Sequence, residues 1–206
     1  MSKTMLNRMF AGRLGLMFVL LGGLLTLSGC GVNNIPTLDE QVKANWAQVE
    51  NQYQRRADLV PNLVSTVKGY AAHEQETLQA VVEARAKVGS MQVDSSILNN
   101  PEQLKQFEAA QSQLSSALSR LMVVVERYPD LKANQNFLAL QSQLEGTENR
   151  ISVARRDFIQ SVSAYNTEIR TFPGRIWHSL LYSDMPIRET YEATTSGAEE
   201  APKVEF

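Results

Sequence analysis

Ten positions between Phe137 and Ile169 follow one another at steps of three or four residues: Phe137, Leu140, Leu144, Thr147, Ile151, Ala154, Phe158, Val162, Tyr165 and Ile169. All but Thr147 are apolar. An α-helix turns once every ~3.6 residues, so these positions share one face, whereas a strand would scatter them over both sides. The stripe dictates a helix of roughly 50 Å at 1.5 Å per residue. A seam of that length leaves water only if another long helix lies along it.

The chain supplies such partners. Leu38, Val42, Trp46, Val49, Tyr53 and Ala57 form one stripe, and Leu63, Val67, Tyr70, Leu78, Val81 and Val88 renew it as far as Gly89. Pro61, between them, has no N–H and crowds the preceding turn. It predicts either a kink in one helix of about 75 Å or the start of a second helix. Leu104, Phe107, Gln111, Leu114, Leu118, Leu121 and Val125 make a third stripe, opened by Asn100-Pro101, a capping residue followed by proline at the first helical position. Thr37 is placed to cap the first stripe, and 90–100 and 128–134 read as loops. No stretch alternates with period two long enough to suggest a sheet. The expected fold is all-α, an antiparallel bundle of long helices crossing at about 20° as in coiled coils, over 38–182. RIWHSLLYSDMPI, after Gly174, reads as a short helix or turn, and 183–206 as a mostly disordered acidic tail. Gly69 and Gly146 lie inside stripes, where each costs about 1 kcal/mol against alanine; close helix packing is the expected reason for them.

The first thirty residues have the layout of an export signal. Lys3, Arg8 and Arg13 form a basic start, LGLMFVLLGGLLTL runs uncharged from Leu14 to Leu27, and Ser28-Gly29 precede Cys30, the single cysteine of the chain. A lone thiol makes no internal disulfide and no multi-cysteine zinc site. Leu27-Ser28-Gly29-Cys30 resembles the bacterial lipobox, which implies a signal peptide over 1–29, palmitate-type acylation at Cys30 and a lipidated tether over 30–37. Each buried CH₂ contributes about 0.8 kcal/mol, so two or more acyl chains hold a protein on a bilayer. The uncharged stretch continues to Leu38, and an uncleaved N-terminal helix is the alternative anchor. Gly31 rather than Asp after the cysteine favours the outer membrane, facing the periplasm. Loss of the three basic residues lowers Lys+Arg from 20 to 17 against 22 acidic residues, a net charge of about −5, which argues against nucleic acid or an anionic lipid surface as the main partner.

Residues able to carry chemistry are few. The two histidines, His73 and His178, lack the second ligand that a helical zinc site or a Glu-x-x-His di-metal site needs. No Gly-rich phosphate loop or G-x-S-x-G elbow occurs, so neither cofactor nor metal is expected. Glu145 and Glu148, one helical turn apart, are the nearest approach to a metal or acid–base pair. The competing reading pairs them with Arg150, Arg55 or Arg56. Arg55, Arg56 and Asp58 sit at the Pro61 break, where polar groups can satisfy freed backbone carbonyls or form a recognition surface.

DLVPNLV, KGYAAHE, LEGTENR and YNTEIRTFPG resemble the LemA family of bacterial envelope proteins, with similarity over about 40–182. The resemblance implies a membrane-attached bundle of long antiparallel helices and brings no catalytic set with it. Members commonly carry an N-terminal membrane helix where this chain has a lipobox, and the acidic tail is expected to lie outside the family pattern. The sequence therefore reads as a non-enzymatic lipoprotein scaffold or adaptor for other envelope proteins, a second copy of itself among the candidates. Arg55, Arg56, Asp58, Glu145, Glu148 and Arg150 are its candidate interaction surface. The alternatives are a ligand- or metal-binding envelope enzyme built on Glu145/Glu148 with Arg55/Arg56, and a membrane-remodelling protein, which the acidic net charge disfavours.

Overall fold

The computed structural model describes residues 31–91 and 95–191. The lipobox with Cys30, the signal segment and the last fifteen residues fall outside them. Among the described residues there are α-helices and one 3-10 turn, and no strand: α1 (Asn34–Lys68), α2 (Gln75–Gly89), the 3-10 turn (Ser95–Asn99), α3 (Pro101–Val125), a short α4 (Pro129–Lys132), α5 (Gln135–Arg170) and α6 (Gly174–Leu181). The fold is all-α, as the stripes require.

The two longest helices, α1 and α5, are antiparallel in fixed register. Asn34 donates to Glu168 at 3.3 Å, Asn45 to the Asp157 carbonyl at 3.1 Å, and Arg56 to Glu148 at 2.8 Å. Helix α2 folds back along α1, and α3 runs antiparallel to α2, with Lys87 donating to Gln113 and Arg127 to Glu74. Up-down-up-down order follows, and the interior divides into two clusters. One half holds the aromatic cluster: Trp46 meets Phe107 and Phe158 edge-on at 5.6 and 5.3 Å, and Tyr53 meets Phe107 at 5.3 Å. The other half is aliphatic, built from Leu63, Val67, Val81, Leu114, Leu121 and Leu131 with Phe137.

Several boundaries differ from the sequence reading. Helix α1 begins at Asn34 rather than 38, so Thr37 is inside it and caps nothing. Asp39, not Leu38, takes the fully buried place on its first turns. Pro61 neither ends nor restarts the helix. The chain reverses instead after Lys68, where Tyr70 and Ala71 both donate to the Val67 carbonyl. Ala71 then occupies the interior and Tyr70 faces out, its hydroxyl accepting from Asn134. The second stripe is thus divided, Leu63 and Val67 continuing α1 and Leu78, Val81 and Val88 lying on the antiparallel α2, and α1 is about 52 Å long rather than 75 Å. Asn100 caps α3 as read, accepting from the Gln103 N–H at 3.2 Å, and Asn134 caps α5 in the same way through Phe137. Packed structure continues past 182, because Tyr191 is buried against Trp46 and Phe158. Gly69 and Gly146 are not required by close packing, since an added Cβ would stand 3.4 and 3.8 Å from its nearest neighbour. Gly174 is the position where glycine is needed: a Cβ there would lie 2.2 Å from the Glu168 carbonyl oxygen at the α5–α6 corner.

Helix α1 tolerates Pro61 for a local reason. Proline has no N–H to offer the carbonyl of Ala57, four residues back. Arg85 of α2 donates its Nε–H to that oxygen at 3.2 Å. The freed carbonyl is satisfied by the neighbouring helix, a role the sequence reading had offered to Arg55 and Arg56. Replacing Arg85 by methionine is therefore expected to cost about 1–2 kcal/mol in urea unfolding. In a Pro61→Ala background, where the alanine N–H takes the Ala57 carbonyl, the same replacement should cost markedly less.

Candidate functional site

Of the residues singled out by sequence, the structure joins Arg56 with Glu148 and disperses the rest. Arg56 is 1% exposed although it lies midway along a helix. Its Nη1 donates to Glu148 at 2.8 Å and to the Ser115 hydroxyl at 2.7 Å, while Nη2 donates to the side chain of Gln111 at 2.6 Å and to its carbonyl at 3.2 Å. Its guanidinium also stands over the Tyr53 ring, 5.1 Å from the centroid. One arginine thus ties α1 to α3 and α5. It explains the polar Gln111 in the third stripe: that side chain faces the interior because Arg56 does. A polar cavity of about 180 Å³ adjoins this node, lined also by Ser112, Ser152 and Arg155, and is roomy enough for water.

The remaining candidates do not converge. Glu145 is exposed and accepts from Gln141, so the two glutamates serve different partners. Asp58 is exposed and accepts from Gln54, and Arg55 is exposed on the same helix. Arg150 borders a groove on the outer side of the α1–α5 pair. No group of three or more His, Cys, Asp or Glu residues is placed to hold a metal ion among the described residues.

A second buried ionic node was not legible beforehand. Arg188, in a stretch read as the start of the tail, donates through Nε and Nη2 to Asp39 of α1 at 3.1 and 2.6 Å, and through Nη1 to Asn99 of the 3-10 turn. Its backbone exchanges two hydrogen bonds with the Asn166 amide of α5, and Tyr165 donates to the Pro186 carbonyl. The chain from Pro186 to Tyr191 is consequently a strap across one end of the bundle. Burial pushes the Asp39 carboxyl up, but hydrogen bonds and charge from Lys43 and Arg188 outweigh it and hold it below its ordinary value. The one sequence signal was PIRETY itself, an arginine between Ile187 and Glu189 with the aromatic Tyr191 three residues on.

On its outer side the α1–α5 pair carries two open grooves. One of about 360 Å³ is bordered by Asn45, Gln48, Gln52, Asn149, Arg150 and Val153. The other, of about 410 Å³, lies further along the same two helices between Asn62, Ser65, Thr66, Asn136, Leu140 and Gln143. Both are rich in carboxamides, which donate and accept hydrogen bonds, and the first also carries the charged Arg150 and Asp157. Among the described residues no helix is long and apolar enough to cross a membrane.

The family model described as LemA family matches residues 45–206, past 182 and through the acidic tail, which thus lies within the family pattern rather than outside it. Magnetosome protein MamQ 2 of Paramagnetospirillum magneticum is 28% identical over 166 residues, covering 73% of this chain and 60% of that protein. Protein LemA of Metamycoplasma hominis is 27% identical over 158 residues, 76% of this chain and 68% of its own length. The chain spans about 60% of the length of the magnetosome relative, so part of that protein has no counterpart in the match.

Two expectations follow from the nodes. Arg56→Ala should cost about 3 kcal/mol, because it strands the buried Gln111 and leaves a hole, whereas Glu148→Gln should cost about 1 kcal/mol, since water screens the half-exposed glutamate and Gln111 and Ser115 still hold Arg56. Denaturant unfolding of both variants checks the order. For Asp39, the folded carboxyl is more acidic than the unfolded one, so its contribution is complete above the ordinary value of 3.8 and fades as pH falls through the lower folded value. An Asp39→Asn variant should be less stable at pH 7 and should lose that portion of the stability decline below pH 3.8, measurable as Tm against pH.

Proposed function

The chain belongs to the LemA family, and on that premise we propose that it is a membrane-anchored, non-enzymatic helical scaffold or adaptor of the bacterial cell envelope, docking other envelope proteins along its α1–α5 face. Family membership supports association with the envelope membrane, and the family is not known for an enzymatic reaction. The anchor in this reading is Cys30, acylated after removal of the signal segment, with the outer membrane, facing the periplasm, as the favoured location.

The observation that carries the scaffold reading is the pair of carboxamide-bearing grooves on two antiparallel helices of about 50 Å each. A long rigid face with repeated shallow grooves suits an extended segment or a helix of another protein. The candidate chemistry supports the same reading from the other side. Arg56 and Glu148 hold each other and the bundle, which leaves Arg55, Asp58, Glu145 and Arg150 as solvent-facing contact residues rather than members of one constellation.

In-cell photo-crosslinking tests it. Probes at Gln48, Val153 and Ser65, along the grooves, are expected to capture one envelope protein repeatedly, and probes at Glu83 and Gln113, on α2 and α3, are expected not to. Equal capture from all five positions, or adducts from none, would remove the α1–α5 face as the docking surface.

A further inference from the structure

At one end of the bundle the protein exposes apolar side chains with no internal partner. Phe172 is 82% exposed, Leu180 68% and Leu181 58%, and Ile176 and Ile187 are about half exposed. Ile176 and Leu180, four residues apart, share one outward face of α6, and the exposed Phe172 precedes them in the row on the turn before the helix. Beside this face, Gly174 is buried and Trp177 packs against the aromatic core. The helix is therefore amphipathic in the unusual sense of having apolar groups on both the core side and the open side.

The position of this row supplies its occupant. Gly31 is the first described residue, one peptide bond from Cys30. With φ of +103° the chain turns there into α1, and the Gly31 carbonyl accepts the Asn34 N–H at 3.1 Å. A Cβ on Gly31 would lie 3.9 Å from Pro173, between Phe172 and Gly174, and Asn34 reaches Glu168 of α5. Gly31, and with it the point where the N-terminal segment joins the bundle, therefore stands at the α5–α6 corner. Arg170 and Arg175 are exposed on either side of the corner, suited to lipid phosphates as the row is to acyl chains.

We propose that the exposed row Phe172–Ile176–Leu180, with Leu181 and Ile187, inserts into the bilayer interface beside the N-terminal anchor, seating the bundle on the membrane by a second contact. This rests on the membrane-anchored reading above. A second contact fixes the tilt of a body that would otherwise swivel on a tether, and it determines which way the α1–α5 grooves face.

The test uses the full chain in cells, with a photoreactive amino acid at Phe172, Ile176 or Leu180 and, for comparison, at Glu83. Phospholipid adducts are read by mass spectrometry alongside membrane fractionation. Lipid adducts at the three α6-end sites should exceed those at Glu83 by about tenfold or more, the ratio expected when even one large apolar side chain is transferred out of water. Lipid adducts at the level of Glu83, or protein adducts in their place, overturn the proposal while the protein still fractionates with membranes, which leaves the anchoring reading standing. Loss of membrane fractionation in the unsubstituted protein overturns both. As a second arm, Ile176→Asp combined with Leu180→Asp should leave the melting temperature unchanged and lower the Phe172 lipid adducts about tenfold. A fall in melting temperature would mean that these side chains pack within the protein, against the proposal.

Discussion

The antiparallel pairing of α1 with α5 is the constraint on which the other elements depend. Each helix carries an apolar seam about 50 Å long, and neither seam is stable in water alone. Laid together they form a floor onto which α2 and α3 close the interior. Trp46 shows the dependence: its indole is 1% exposed only because Phe158 of α5, Phe107 of α3 and Tyr191 of the strap meet it from three sides.

Apolar seams alone specify that two helices pair but leave the register loose, because a slide of one turn exchanges one leucine for another. The polar ties remove that freedom. Arg56 has four hydrogen bonds at one register, and a shift of α5 by a turn would separate Glu148 from it. Burying a guanidinium costs several kcal/mol in desolvation, so such a group adds little net stability and acts chiefly against alternative packings. Arg85 on the Ala57 carbonyl and Arg188 on Asp39 act in the same manner at the α1–α2 boundary and at the strapped end.

These features give the molecule two unlike ends and two unlike sides. The end near Gly31 holds the strap, the α5–α6 corner and the exposed apolar row. The opposite end, where Glu74 accepts from Arg127 and Tyr128, is closed by polar contacts. Along the length, the α1–α5 side is grooved and open while α2 and α3 cover the other.

Helical periodicity determined the all-α class, the membership of α3 and α5 and most of the core, and the Asn100-Pro101 pair determined the cap, because a 3.6-residue repeat and a capping pair are both local properties of the chain. The same reasoning misplaced the turn after Lys68, since Tyr70 and Ala71 both fit a stripe and only the packed aliphatic cluster selects the alanine. It foresaw an arginine–glutamate pairing but not which arginine, and Arg55 and Arg56 differ by 100° around the helix in a way that matters only once α3 and α5 are present. Arg188, its partners Asp39 and Asn99, and the service of Arg85 to Pro61 were illegible for one reason. Each joins residues far apart in sequence, and a contact of that kind is decided by where the folded helices bring backbone and charge together, not by any local pattern.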